Sequence, residues 1–134
     1  MINTKDVITI RVPYPDTTSI LARIPHMYIC TDVSDPSCEL VKCQSFKPYH
    51  TLVGSSPVCR IVEQPNNTRN PFRHPTIIDL DKLFIAMRTL LPDSLITTQG
   101  VCDALLVEIK TKINATVERI TLTEAGLQTV NYAI

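Results

Sequence analysis

Three short segments of alternating polarity, joined by connections too short to cross over a sheet, most constrain what this chain can become. Val7 to Pro13 sets Ile8, Ile10 and Val12 on one side and Thr9 and Arg11 on the other. That is the period of two expected of a half-buried strand. His26 to Thr31 repeats it, with Met27 and Ile29 opposite Tyr28 and Cys30. Glu39 to Ser45 (ELVKCQS) is the third, preceded by the turn signal Asp35-Pro36. Its Lys42 and Gln44 oppose Val41 and Cys43, so one of its faces is polar. Short links favour antiparallel pairing, and the three segments read as a meander. The link between Pro13 and His26 is the exception. At about ten residues it is longer than a hairpin needs, and such loops tend to carry function.

Beyond Ser45 the period is lost. Pro48, Pro57, Pro65, Pro71 and Pro75 interrupt residues 46–75, which predict an irregular excursion with a short helical turn or a minor strand around Cys59 to Val62. TIIDLDKLFIAM, 76–87, returns to strand composition and predicts two short strands with a bend near Asp81-Lys82. Its Asp79 and Asp81, two apart, are expected to face solvent at a strand end. A helix is expected over about 98–113, with Cys102, Leu105, Leu106, Ile109 and Ile113 as its apolar stripe, Thr97 or Thr98 as cap, and Glu108 pairing Lys112. The tail 116–134 reads equally as a second helix, a strand or a partner-binding extension. The expected fold class is therefore mainly β with α additions: one domain over 1–134, a small antiparallel β-barrel over about 6–90 closed by the C-terminal helix.

Composition removes several functions. The 134 residues carry 13 basic and 13 acidic side chains, so a globally basic nucleic-acid binder is not indicated, although a local cationic patch is compatible with neutrality. With 3 glycines there is no glycine-rich phosphate cradle. The 5 cysteines form no CxxC pair and read as small buried hydrophobes or incidental thiols. His26, His50 and His74 lack the spacing of metal ligands, and no metal or cofactor is expected. No signal peptide opens the chain and no apolar run approaches membrane length, so a cytoplasmic protein is expected. Asn66-Asn67-Thr68 and Asn114-Ala115-Thr116 then match glycosylation sequons by chance.

What remains is a set of cations and polar groups at strand ends: Arg23, His26, Lys42, Gln44, Ser45 and Lys47. If the second and third strands pair, these approach one another and suit a phosphodiester. A guanidinium holds the phosphate and stabilises its developing charge while a hydroxyl or amide donates beside it. In RNA the substrate's own 2′-OH supplies the nucleophile, so neither metal nor protein nucleophile is required. A solvated sheet rim is the plain alternative.

The order of segments resembles the PemK/MazF-like toxins of bacterial toxin–antitoxin systems. Val12-Pro13-Tyr14-Pro15-Asp16 stands where that family has a proline-bearing turn. Arg23-Ile24-Pro25 stands at the end of the long first loop, Gln44-Ser45 ends the third strand, and an acidic strand segment around Ile78 to Leu83 precedes the closing helix. The resemblance implies an SH3-like barrel and a metal-independent endoribonuclease for single-stranded RNA, acting as a homodimer and silenced by an antitoxin. It implies Arg23 and Ser45 as catalytic residues and His26, Lys42, Gln44 and Lys47 as RNA contacts. The Arg-Pro pair is split here by Ile24, and the first loop lacks the family's glycine-rich, basic character. The alternative reading is a catalytically inactive barrel that binds a peptide, an antitoxin or nucleic acid.

Overall fold

The computed structural model describes residues 1–134. The three alternating segments form strands β1 (Val7–Ile10), β2 (His26–Ser34) and β3 (Ser37–Ser45). They are paired antiparallel as the short links require, with Asp35-Pro36 as a two-residue hairpin loop between Ser34 and Ser37. The long first link contains a single helical turn, α1 (Ile20–Arg23). The excursion holds a one-turn helix at Pro48–Thr51 and the minor strand β4 (Arg60–Glu63).

Thr76–Met87 is one strand, β5, rather than two. The expected bend survives as a slip in its alternation. Ile78, Leu80 and Leu83 face one core, Phe84 and Ala86 the other, so the side chains change face across Asp81-Lys82. On β3 the same break lies between Leu40, opposite Phe84, and Lys42, opposite Asp79. A bulge of this kind bends a strand without ending it.

The helix starts five residues later than expected, as α2 (Asp103–Lys112), and its cap is Cys102, whose sulfur accepts from Leu105 N–H. Residues 97–102 are held outside the helix instead. Thr97 N–H donates to Val7 C=O, Val101 N–H to Lys5 C=O, and Cys102 N–H to Arg69 C=O. Gly100 makes this approach possible, since a Cβ there would stand 2.3 Å from the Lys5 carbonyl oxygen. Glu108 turns to Arg69 rather than to Lys112. The ambiguous tail resolves into a strand, β6 (Glu118–Thr121), and a helix, α3 (Glu124–Val130).

The closed antiparallel barrel is not what forms. The sheet is open and mixed, in the order β1-β2-β3-β5-β4, with β6 running parallel to β5. Both β4 and β6 occupy the same side of β5, one beside its first half and one beside its second, so neither reaches β1. The free edge of β1 is covered locally. Ile96 bridges Ile8, and the buried Asn131 side chain accepts from Arg11 N–H at 2.9 Å and donates to Arg11 C=O at 2.8 Å. That amide imitates a strand partner and removes the need for a closing strand there.

Each face of the sheet has its own core. Ile8, Ile10, Tyr28, Leu40 and Phe84 pack with Leu122 and with Leu127 of α3. Val7, Ile29, Val41, Ile78 and Leu83 pack with Leu105 and Ile109 of α2. No helix is long and apolar enough to cross a membrane.

Candidate functional site

Where β2 begins and β3 ends, the sheet is left uncovered, and a groove of about 890 Å³ opens there between α1 and the segment leading into β5. Five of the six residues singled out in the sequence line it: His26, Lys42, Gln44, Ser45 and Lys47. The pairing of Met27 with Cys43 brings them together, because the next step along the ladder sets His26 beside Gln44.

Arg23 is not brought in. It ends α1, is exposed, and only its backbone is engaged, accepting from Arg11 Nε at 3.3 Å. Its neighbours Ser19, Ile20, Leu21 and Ile24 line the groove, and Arg23 does not. The guanidinium in the lining belongs to Arg73, with His74 beside it, both exposed. Neither lies in a periodic segment. Only their place in a proline-bounded stretch just before a strand could have drawn attention to them.

The lining contains Lys42, Lys47, Arg73 and two histidines, and no aspartate or glutamate. In a chain of zero formal charge this is a segregation of charge. Lys47 and Arg73 enter no ion pair, whereas Lys42 Nζ lies 3.4 Å from Asp79 Oδ2. Asp79 is buried, not solvent-facing as expected, and sits in register between Lys42 on β3 and Arg60 on β4. Asp81 is also withdrawn from solvent chemistry. Its carboxylate accepts from Val58 N–H and Cys59 N–H and ties the excursion to β5.

Arg60 is structural too. It donates to His50 C=O at 2.8 Å and to Ser55 Oγ at 3.2 Å, clamping residues 50–55 over the sheet.

His26 is the one group in the groove with a defined basic atom. Its Nδ1 lies 2.9 Å from Ile24 C=O, which can only accept, so Nδ1 carries the proton and Nε2 the lone pair. Partial burial pushes its pKa down from the ordinary 6.5, the Ile24 carbonyl works against this, and nearby Lys42 lowers it further. The ring is therefore a neutral base at neutral pH. Burial also pushes the Tyr28 phenol and the Cys43 thiol up, which removes both as nucleophiles.

Exposed apolar groups share the lining. Ile20, Ile24 and Tyr49 are 65%, 52% and 58% exposed, and the Tyr49 ring lies 4.2 Å from that of His50. Cations and exposed aromatic and aliphatic groups in one groove fit a ligand that carries both negative charge and flat or apolar surface. No protein-family model and no curated protein matches the chain.

Proposed function

We propose that the groove binds single-stranded RNA and cleaves it without a metal, by attack of the 2′-OH on the adjacent phosphate. The observation that carries this reading is the charge segregation: every ionisable group in the lining is a cation, an imidazole, a phenol or a thiol, in a chain with no net charge. Phosphate neutralisation supplies most of the affinity of such sites. Lys47 and Arg73 are the free cations for the backbone, and Tyr49 offers a face for a base. His26 Nε2 takes the 2′-OH proton as the O2′–P bond forms. The P–O5′ bond breaks, the 5′-oxygen takes a proton from solvent, and a 2′,3′-cyclic phosphate remains. Ser45, Gln44 and Lys42 donate to the phosphate oxygens as charge grows on them. Arg73 takes the guanidinium role expected of Arg23, which is left at the rim.

The toxin-like character, cytoplasmic location, homodimer and antitoxin implied by the family resemblance belong to the same proposal. The exposed Leu52, Val53 and Val58 support a protein partner near the site. One observation favours the second reading, a binding groove without cleavage: the arginine at the family's catalytic position does not enter the lining.

Binding is tested by titrating a fluorescent single strand and following its anisotropy. Lys47→Gln with Arg73→Gln should weaken binding by tenfold or more at low salt and flatten its salt dependence by about two phosphate contacts. Unchanged affinity and slope would place the nucleic acid elsewhere.

A further inference from the structure

His50 is no part of the lining, yet it determines what the lining offers. It is buried and meets three lining residues: the Tyr49 ring lies 4.2 Å from its own, Lys47 contacts it through the backbone, and the Gln44 amide nitrogen is placed 3.1 Å from His50 Nε2. On its other side His50 Nδ1 accepts from Lys47 N–H at 2.8 Å. A backbone N–H can only donate, so Nδ1 is the unprotonated nitrogen. A neutral imidazole has one proton, which must then sit on Nε2. Burial and the Arg60 cation favour that neutral form. A nitrogen facing Nε2–H would set two donors against each other, so the Lys47 N–H requires the two ends of the Gln44 amide to be exchanged from that placement, with the oxygen on His50 Nε2–H.

We propose that His50 is a positioning residue that locks the Gln44 amide with its NH2 toward the groove, making Gln44 a donor-only contact for a phosphodiester oxygen. A free glutamine is ambivalent: it donates and accepts, and can pair with a base edge in either sense. Held at its oxygen, Gln44 loses the accepting half. Its neighbours in the lining, Lys42, Ser45 and Lys47, also donate, so the locked amide completes a cluster of donors and not a mixed base-reading edge. A nucleobase amine would meet N–H against N–H there, while a phosphate oxygen would be satisfied.

The inference rests on the RNA-binding reading, and one NMR experiment separates the two. In the 15N-labelled full chain at neutral pH, two-bond 15N–1H spectra should show His50 protonated at Nε2 and bare at Nδ1. The opposite tautomer would overturn the lock. A 2′-deoxy single strand, which binds without being cut, should then shift the Gln44 side-chain NH2 signals, and an abasic deoxyribose-phosphate strand should shift them equally. Shifts confined to base-bearing strands would move the contact to a base carbonyl and overturn the phosphate assignment. Binding that leaves the Gln44 NH2 unmoved would overturn the inference alone. No binding of either strand would overturn it together with the reading beneath it. Gln44→Met should weaken binding about tenfold, as loss of a charge-assisted hydrogen bond does; undiminished affinity counts against the lock.

Discussion

Alanine in place of His26 should lower RNA cleavage by about 10²–10⁴-fold, the usual contribution of a positioned general base, while leaving RNA binding within about twofold. His26 opens β2, and its one hydrogen bond runs to Ile24 C=O two residues away, so removing the ring deletes a local contact and leaves both cores untouched. The phosphate-binding cations, Lys47 and Arg73, remain. The pH profile gives an independent check. His26 acts only when neutral, so the rate should climb with pH through the His26 pKa and level off above it. Burial and Lys42 hold that pKa below 6.5, which puts the rising limb on the acid side of that value. A variant that cleaves at the wild-type rate, or a wild-type rate whose rising limb lies above pH 6.5, would remove His26 from the reaction.

Lys42→Met should destabilise the fold by roughly 3–5 kcal/mol, the cost of stripping one partner from a buried ion pair. The Asp79 side chain is 5% exposed, and Lys42 is its only ion-pair partner. Arg60 lies beside Asp79 in register, but its guanidinium is committed to His50 C=O and Ser55 Oγ. What remains to the carboxylate is the hydrogen bond from Asp81 N–H at 2.9 Å. Pairing the substitution with Asp79→Leu should recover most of the loss, because two apolar groups leave no charge to desolvate. Urea unfolding of both singles and the double closes the cycle. A single-variant loss below about 1 kcal/mol would mean that the pair behaves like a surface contact.

The first half of the sheet was legible because its signals are local. Alternation in Val7–Pro13, His26–Thr31 and Glu39–Ser45, with turn residues between, sufficed to place β1, β2 and β3 and the polar stripe that carries Lys42 and Gln44. What escaped depends on distant partners. The length of β5 is fixed by a bulge opposite Val41, which reads in the sequence as a break between two strands. The start of α2 is fixed by Lys5, Val7 and Arg69, whose carbonyls take the N–H groups of Val101, Thr97 and Cys102 and hold 97–102 out of a fair helix pattern.

Closure of the barrel failed for a similar reason. Nothing near Arg11 announces that Asn131, at the far end of the chain, will cap its edge. At the site, Arg23 stays outside a lining that its neighbours Ile20, Leu21 and Ile24 enter, and the approach of the segment before β5 brings in Arg73. The two N-x-T matches had a local meaning after all. Asn66 Oδ1 accepts from Thr68 N–H and Oγ1–H, Asn114 does the same with Thr116, and Asp16 with Thr18, so each is a side-chain-closed turn.

The measurement that tests the central claim most directly is a paired digestion in EDTA. A long single-stranded RNA and the DNA strand of the same sequence are each incubated with the purified chain, and the products are analysed by their end groups. The groove described here predicts that both strands bind, that only the RNA is cut, and that its fragments end in 2′,3′-cyclic phosphate. Intact RNA alongside firm binding would leave a nucleic-acid groove without cleavage. Equal cutting of the DNA strand would contradict the 2′-OH mechanism. Failure of either strand to bind would contradict the claim that the cationic groove is built for a phosphodiester.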